Sequence, residues 1–501
     1  MQYRTPGVYV TEEHDVPDPG VAADAGIALF LGYTEKAGGD AAGGPLLIGS
    51  IRQFEQHFGG PHAPQFSLHV EPGTLELLPV HRRSARFFLY HGLQSYFDNG
   101  GGPAYVLSTG THAEALAHGK RKQDFLARLD GLRHVAGVGL IVAPDTTLLD
   151  SSEDCYAVWQ AVLEHCGAMQ DRLALIDVHG GDQPRTRHAE DDIISGSRHG
   201  LRASLDSRYL GFGVAYYPWL HFNLVDPRTI TYDNLDDAAL SMLAEALLRE
   251  RDAQSPPGRD ALAPLQQTIA RRAPEGLENR AAQVLATHRR LLEASALYHR
   301  LAALLLAVAN QLPPGAAMAG VYARTDAAQG VWHAPANTGI VGAVAPVEEL
   351  TQQDHEGLNL PPDGKAVNAI RTFADYGLLV WGARTLDGNS GDWRYIQVRR
   401  TVILLGRSIK AILAAHAFSP NDAATRNSVR SMIAGFLTSQ WQNGALLGAS
   451  ARDAFHIDAG LDSTMSMSDM EEGMLRVRVR VALIHPGEFI ELTFAQQLRA
   501  S

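Results

Sequence analysis

The chain has 501 residues, of which 45% are hydrophobic and 20% charged, a composition typical of globular proteins and a length that exceeds one hydrophobic core. Its 43 Lys and Arg residues are outnumbered by 55 Asp and Glu residues, and the net charge of −12 argues against nucleic acid and anionic membranes as partners. Two cysteines are too few for a disulfide framework, so we expect synthesis in the reducing cytoplasm.

Residues 1–20 are predicted to form an extended arm. A short β-type run contains Val8, Tyr9 and Val10, and acidic and proline residues follow it. Such a strand has no local partner. The segment lacks the basic start and apolar core of a secretory signal, and the longest apolar run, residues 301–309, is shorter than the roughly 20 residues that cross a bilayer. We therefore expect no signal peptide and no membrane span.

Strand and helix patterns alternate between residues 21 and 345. The predicted strands are residues 27–32, 46–48, 104–107, 139–143 and 173–178, and the predicted helices include residues 52–58 and 154–169. Such alternation is typical of βαβ units and a mainly parallel sheet. We assign residues 21–90 to the N-terminal part of an α/β core and residues 91–345 to a middle α/β domain.

Residues 236–310 differ from their surroundings because Ala, Leu, Arg and Glu dominate. An apolar residue recurs every seven positions, at Val284, Leu291, Tyr298 and Leu305. This repeat is typical of packed helices, and the Ser-Pro-Pro-Gly sequence of residues 255–258 interrupts the pattern. We predict a helical insertion in the middle domain, a hairpin or small bundle, that faces outward.

After a linker at residues 346–365, residues 366–501 are predicted to form a C-terminal α+β domain. Amphipathic periodicity predicts helices at residues 395–414 and 422–441. The period then changes to two, with buried positions at Val477, Val479, Val481, Ile490, Leu492 and Phe494. These residues predict two strands with one buried face each. Residues 487–501 form a terminal β-arm in this interpretation.

No motif in the sequence predicts an enzyme. The glycine-rich loop at residues 99–103 lacks the Lys-Ser or Lys-Thr of a phosphate-binding loop, and Pro103 removes one N–H donor, so a tight turn is favoured over phosphate binding. The 21 histidines show no metal-binding spacing, and no Gly-x-Ser-x-Gly motif is present. We predict no catalytic residue, no metal and no cofactor.

Several segments together are typical of one family. The N-terminal and central segments are residues 5–12, 96–106, 215–219 and 320–337. The C-terminal segments are Val380-Trp-Gly-Ala-Arg-Thr385, Trp393-Arg-Tyr-Ile-Gln-Val-Arg-Arg400, Phe418-Ser-Pro-Asn-Asp422, Trp441-Gln-Asn-Gly-Ala-Leu446 and Pro486-Gly-Glu-Phe-Ile490. In this order they resemble the phage tail sheath family, which includes the sheaths of R-type pyocins and of extracellular contractile injection systems.

The resemblance implies a multi-domain sheath protomer whose middle domain has a subtilisin-like fold without a catalytic triad. It implies six-fold rings of protomers that stack helically around an inner tube, are linked by swapped terminal arms, and contract to drive the tube through a target envelope. The residues predicted to make these links between subunits are Val8, Tyr9, Val10, Val477, Val479, Val481, Ile490, Leu492 and Phe494. The implied partners are further copies of the chain, paralogous sheath subunits, the inner tube protein, and baseplate and terminator proteins. The chain would belong to a phage tail or to a released injection particle.

Two further features accord with this resemblance. Residues 1–20 carry a net charge of −3 and residues 473–501 a net charge of +2, and opposite charges favour pairing between different subunits. The family places a helix of its C-terminal domain against the tube. Asp422, Arg426 and Arg430, at i, i+4 and i+8, are therefore predicted to face the tube, although a solvated helix face explains the same pattern.

Two alternatives are compatible with the sequence. One is a soluble α/β enzyme whose site is not recognised, and the other is a baseplate component or non-contracting homologue that shares the C-terminal motifs. Electron microscopy of the expressed chain distinguishes them, because a sheath forms tubes or rings, an enzyme forms uniform particles, and a non-contracting homologue fails to polymerise.

Overall fold

The computed structural model describes residues 26–38, 43–70, 77–81, 85–186, 190–254, 256–270, 279–461 and 463–488. The predicted arm residues Val8, Tyr9, Val10, Ile490, Leu492 and Phe494 lie outside the described residues. Within the described part, the chain divides into two compact units. We call residues 26–324 with 336–389 the sheet unit, and residues 325–335 with 390–488 the C-terminal unit.

The elements, in chain order, are as follows. The strands are β1 (Ile27–Thr34), β2 (Leu46–Ile48), β3 (Phe66–Val70), β4 (Leu77–His81), β5 (Ala104–Thr111), β6 (Val138–Val142), β7 (Leu173–Asp177), β8 (Gly213–Tyr217), β9 (Leu220–Phe222), β10 (Gln311–Leu312), β11 (Ala343–Pro346), β12 (Asn368–Phe373), β13 (Gly377–Trp381), β14 (Phe455–Asp458) and β15 (Arg478–Val481). The helices are α1 (Ile51–Phe58), α2 (Leu89–Asp98), α3 (His112–His118), α4 (Lys122–Leu129), α5 (Ser152–Met169), α6 (Leu201–Ser204), α7 (Asp237–Ala253), α8 (Pro256–Ala270), α9 (Arg280–Ala294), α10 (Ala296–Ala309), α11 (Gly315–Gln329), α12 (Gln352–Asn359), α13 (Ile396–Ala415), α14 (Ala423–Gln442), α15 (Ala451–Ala454) and α16 (Met467–Glu471).

An eight-stranded sheet with the order β13-β12-β8-β7-β6-β1-β5-β2 organises the sheet unit. The six strands from β12 to β5 run parallel, and the two edge strands are antiparallel to their neighbours. β6 and β7 are buried along their whole length, as is typical of parallel strands covered on both faces. The predicted mainly parallel sheet is confirmed. Strand β1, from the predicted N-terminal part at residues 21–90, lies inside this sheet, so the predicted boundary at residue 90 does not separate two compact units.

The C-terminal boundary differs from the predicted one. The sequence predicts a domain that begins at residue 366, but β12 and β13 belong to the large sheet of the sheet unit. Asn368 on β12 pairs with Tyr216 on β8, and local periodicity contains no signal for such a distant pairing. The C-terminal unit instead takes up the chain at Ser390.

The predicted linker at residues 346–365 contains helix α12. Thr351 caps this helix by accepting a hydrogen bond from the N–H of Asp354, and the Asp354 carboxylate accepts the N–H of Thr351 in return. This capping box is readable in the sequence as Thr-x-x-Asp. The segment is therefore a structured part of the sheet unit.

Helix α5 packs on the sheet, and its sequence specifies both of its ends and its buried face. Ser151 caps its first turn by accepting the N–H of Asp154, and Gln170 ends it in a left-handed conformation with a φ of 55°. Tyr156 and Trp159 on its inner face are completely buried. Burial of such rings contributes about 1.5–3 kcal/mol each.

Helices α7 to α10 occupy the predicted insertion of residues 236–310. The four heptad positions are buried in one core with α7 and with the β3-β4 hairpin, at Val284, Leu291, Tyr298 and Leu305. Ser295 ends α9 and caps the start of α10, and the chain bends by 120° between the axes of the two helices. The apolar heptad positions are therefore divided between two helices and do not lie along a single one. No single helix of the described residues is long and apolar enough to cross a bilayer; α9 and α10 reach that length and composition only when combined.

The C-terminal unit has its own hydrophobic core. It is formed by α13, α14 and the β14-β15 sheet, and the start of α14 is capped by Asp422. Its buried residues include Leu405, Ile412, Val429, Ile433, Phe436, Leu437, Ile457, Val479 and Val481. A separate core of this kind is what a unit needs to move as a rigid body.

Candidate assembly surface

Strands β14 and β15 form a two-stranded antiparallel sheet in the C-terminal unit. The residue pairs are Phe455 with Val481, His456 with Arg480, Ile457 with Val479 and Asp458 with Arg478. Val479 and Val481 are 5% and 3% exposed, whereas Arg478 and Arg480 are exposed. The structure thus places the predicted arm residues Val479 and Val481 in the core of their own unit, and Val477 packs against the same core.

Because the valine side chains are used in this core, a strand from another subunit would have to bind through backbone N–H and C=O groups. Within the described residues, β14 and β15 pair as strands only with each other. Each strand of a two-stranded sheet has one paired edge and one outer edge, and an outer edge can accept a further strand. A bridge between Leu446 and Leu483 continues the pairing beyond β15. The sheet is therefore short and anchored on its apolar face, and no third strand is paired to it among the described residues.

The exposed face of this sheet is basic. Arg480 donates to Asp458 at 3.2 Å, and Arg476 donates to Asp469 at 2.8 Å. Arg478 makes no ion pair with any described residue and lies between the two neutralised arginines. A positive charge thus remains at the centre of the face.

The three residues predicted to face an inner tube lie at the start of α14. Asp422 caps the helix, and the N–H groups of the first turn lower the pKa of its carboxyl. Arg426 donates to the carbonyl and side-chain oxygens of Asn421 at 2.8 and 3.2 Å. Arg430 donates to the carbonyl of Ile457 on β14 at 3.3 Å. All three stabilise their own unit, while Asp422 and Arg430 are also exposed.

An ion pair that the sequence did not reveal fastens the last turn of α11 to α13. Arg400 on α13 contacts Asp326 through two N–O distances of 2.7 and 2.5 Å. The two side chains are 6% and 13% exposed. Next to it, the guanidinium of Arg399 stacks on the Trp393 ring at 3.6 Å from its centroid, a cation–π contact. The basic and aromatic residues of the 393–400 segment therefore hold the C-terminal unit together.

The glycine-rich loop at residues 99–103 forms a turn. The N–H groups of Gly100 and Gly101 donate to carbonyls of α2 at 3.0 and 2.9 Å, and Gly100 has a φ of 95°, which favours glycine. Asn99 accepts the N–H of Val341 at 2.8 Å and so fixes the loop. Because these donors are used inside the fold, the geometry supports the turn and not phosphate binding.

Two histidines meet in the sheet unit without forming a metal site. The rings of His62 and His112 lie 5.6 Å apart, and Phe87 contacts both. Burial, and then the neighbouring His62, lower the pKa of His112 to about 4. Across the described ranges, no three His, Cys, Asp or Glu side chains are grouped so that they could hold a metal ion.

The fold as a whole is similar to chains in cryo-EM structures of contractile injection particles. A chain of the six-fold symmetrised baseplate of the anti-feeding prophage matches with 24% identity and a TM-score of 0.59, over 99% of this chain and 100% of that one. A chain of the contracted helical sheath of the anti-feeding prophage matches with 24% identity and a TM-score of 0.57, over 99% and 100%. A chain of the contracted sheath complex of the extracellular contractile injection system PVC matches with 22% identity and a TM-score of 0.57, over 99% of each chain. The chain thus has a sheath-type mixed helix and strand fold.

The sequence comparisons concentrate on part of the chain. Residues 389–497 match the phage tail sheath C-terminal domain family. Over 186 residues the chain is 30% identical to a prophage major tail sheath protein of Pseudomonas aeruginosa (strain UCBPP-PA14), an alignment that spans 36% of this chain and 45% of that relative. The chain therefore carries a segment similar to the tail sheath C-terminal domain, and the alignment spans less than half the length of the curated relative.

Proposed function

We propose that this chain is the sheath subunit of a contractile injection machine. It polymerises helically around an inner tube and contracts, which drives the tube through a target envelope. The observation that carries the proposal is the tail sheath C-terminal domain at residues 389–497, set in a chain with a sheath-type fold. A contact repeated along a helix sums small differences over many subunits, so each protomer contributes little to the total free energy of contraction.

The terminal arms link neighbouring protomers in this proposal. The arm strands, residues 8–11 and 489–494, would add to strand edges of other subunits, and the β14-β15 sheet offers such edges. Its basic face around Arg478 complements the net charge of −3 on residues 1–20. The acidic N-terminal arm is therefore the better electrostatic match for this sheet.

The sheet unit corresponds to the subtilisin-like middle domain that the resemblance implies. Its support is the parallel sheet with helices on both faces. In this account the unit stays rigid while linkers at its borders change conformation. Helices α7 to α10 face outward, and the partners include paralogous sheath subunits and baseplate and terminator proteins of a phage tail or released particle.

The start of α14 faces the inner tube in this proposal. Arg430 is the better probe of the two arginines, because its side chain is exposed, whereas Arg426 is half-buried and donates to Asn421. R430E should weaken co-sedimentation of the sheath with the tube. R452E, which reverses an exposed arginine on α15 of the same unit, is the matched control. Unchanged co-sedimentation of R430E would remove the support for this placement.

Electron microscopy of the purified chain, with and without its inner tube protein, tests the proposed function. We expect striated tubes whose length grows with the tube protein. Uniform monomers at all concentrations would contradict the proposal and would favour a soluble enzyme. Rings or tubes that never shorten would identify a non-contracting homologue.

A further inference from the structure

Asp177 is a completely buried carboxyl group at the end of β7. Its Oδ1 accepts a hydrogen bond from the N–H of Gly315, the first residue of α11, at 2.7 Å. Its Oδ2 is buried and has no hydrogen-bond partner among the described residues. A carboxylate in an apolar interior with a single donor is poorly compensated, so the neutral form is favoured.

The described surroundings of Asp177 supply no charged side chain, and its compensation comes from the N-terminus of α11, through the N–H of Gly315. Burial raises the pKa of Asp177 to about 7, and the Gly315 N–H offsets this only in part; no charged side chain contributes to the shift. Tyr216, the neighbour of Asp177 on β8, is hydrogen-bonded to Tyr322 on α11 at 2.8 Å. The ionisable group that the sheet register places beside Asp177 is thus a phenol whose hydroxyl is hydrogen-bonded to a second phenol.

The titratable groups on the other adjoining elements are also engaged elsewhere. Asp145, which follows β6, accepts the N–H groups of Tyr33 and Phe88 at 2.8 and 2.6 Å. His179, two residues beyond Asp177, contacts the carbonyl of Leu149 through Nε2 at 3.0 Å. No charged group from these elements reaches Asp177.

Helix α11 closes over the carboxyl group. A Cβ at Gly315 would lie 2.8 Å from both oxygens of Asp177, so the approach requires glycine. A Cβ at Gly320 would lie 2.4 Å from the carbonyl oxygen of Tyr96, and the residues of α11 from Gly315 to Tyr322 are buried. The first turn of α11 therefore packs directly on both carboxyl oxygens, and its movement away from β7 would open the site to water.

We propose that Asp177 is a proton-dependent latch: the closed protomer holds its carboxyl group protonated, and ionisation releases the first turn of α11 from the end of β7. The closed state binds the proton more tightly than the opened state, in which an aspartate has its ordinary pKa. The latch is therefore firm at low pH and weakens as the pH rises toward about 7. It is a property of one protomer and does not depend on assembly.

Hydrogen exchange by mass spectrometry, corrected for the intrinsic exchange rate, tests the latch in the full chain. Between about pH 6 and about pH 8 we expect the protection of residues 315–319 to fall about tenfold in the wild type. In D177N the protection should not depend on pH. D375N, which changes an exposed carboxyl group in the β12-β13 hairpin, should behave like the wild type. Equal pH dependence in the wild type and D177N would overturn the proposal.

If D177N does not fold, infrared spectroscopy of wild-type protein labelled with ¹³C-aspartate provides a second test, because it measures the protonation of aspartate side chains without a substitution. Burial also raises the pKa of Asp145, to about 6, so two protonated carboxyl bands are expected, and the one that disappears with the higher midpoint, near pH 7, supports the latch, since ordinary aspartates are ionised far below that pH. A titration with no midpoint above about pH 6 would overturn it.

Discussion

Arg400 and Asp326 lie 74 positions apart in the chain and form a two-point ion pair inside the C-terminal unit. Their side chains are 6% and 13% exposed, so water screens the pair weakly. Removal of one partner leaves the other charge buried and uncompensated, which costs more than the pair itself contributes. The pair is thus a structural requirement for the contact between the last turn of α11 and helix α13.

The first prediction concerns this pair. R400A or D326N should lower the free energy of unfolding of the C-terminal unit by about 3–5 kcal/mol, measured by urea denaturation. R228A is the control, because its pair with Asp226 is 76% and 40% exposed, so water screens it and its loss should leave the free energy of unfolding nearly unchanged. The double variant R400M/D326L should recover most of the loss. Equal effects of R400A and R228A would show that the pair is not structurally important.

The sequence predicted local elements well because their signals are local. The apolar runs of β6 and β7 and the periodicity of α5, α13 and α14 each specify an element within a few residues. The positions of β12 and β13 in the large sheet depend on pairing with β8, more than 150 residues away, and no local pattern encodes it. The Arg400–Asp326 pair was missed for the same reason.

The period-two pattern of β15 predicted the correct faces and left the partner undetermined. Alternation shows that Val479 and Val481 are buried on one side, but it does not show which strand lies opposite. The structure supplies β14 of the same chain as the neighbour. The arm strands proper, residues 8–11 and 489–494, remain predictions.

The second prediction concerns helices α7 to α10. They share a core with the β3-β4 hairpin, where Phe66, Leu68 and Leu77 are buried. Replacement of residues 237–309 by a Gly/Ser linker should therefore be combined with L68S and L77S to avoid an exposed apolar patch. We expect this variant to form tubes, as seen by negative-stain electron microscopy. The deletion without the two serines should aggregate.

The deletion experiment has a clear opposing outcome. A deletion variant that keeps its helix and strand content in circular dichroism but forms no tubes would show that α7 to α10 take part in assembly. The same variant with tubes of reduced diameter would support an outward-facing insertion.

The third prediction concerns acid stability. The pKa of His112 is lowered to about 4 by burial, whereas the unfolded chain binds this proton near the ordinary pKa of about 6.5. The unfolded state therefore gains the proton first, and the stability contribution is lost as the pH falls from about 6.5 to about 4, by about 3 kcal/mol in all. H112Q should reduce the loss of stability over this pH range in urea titrations without abolishing it, because burial also lowers the pKa of His165 to about 4. H118Q, an exposed residue on the same helix, should not, and identical profiles for H112Q and wild type would contradict the assignment.

The most direct test compares the full chain with a variant that begins at residue 16. If the proposal holds, loss of these residues removes the backbone donors and acceptors that pair with a neighbouring sheet edge, and the protomer stays folded. Circular dichroism and negative-stain electron microscopy of the same samples should show tubes for the full chain and a folded, unassembled protomer for the truncated one. Tubes of normal length from the truncated chain, which still contract as a continuous unit, would contradict the arms as the linkage between sheath subunits.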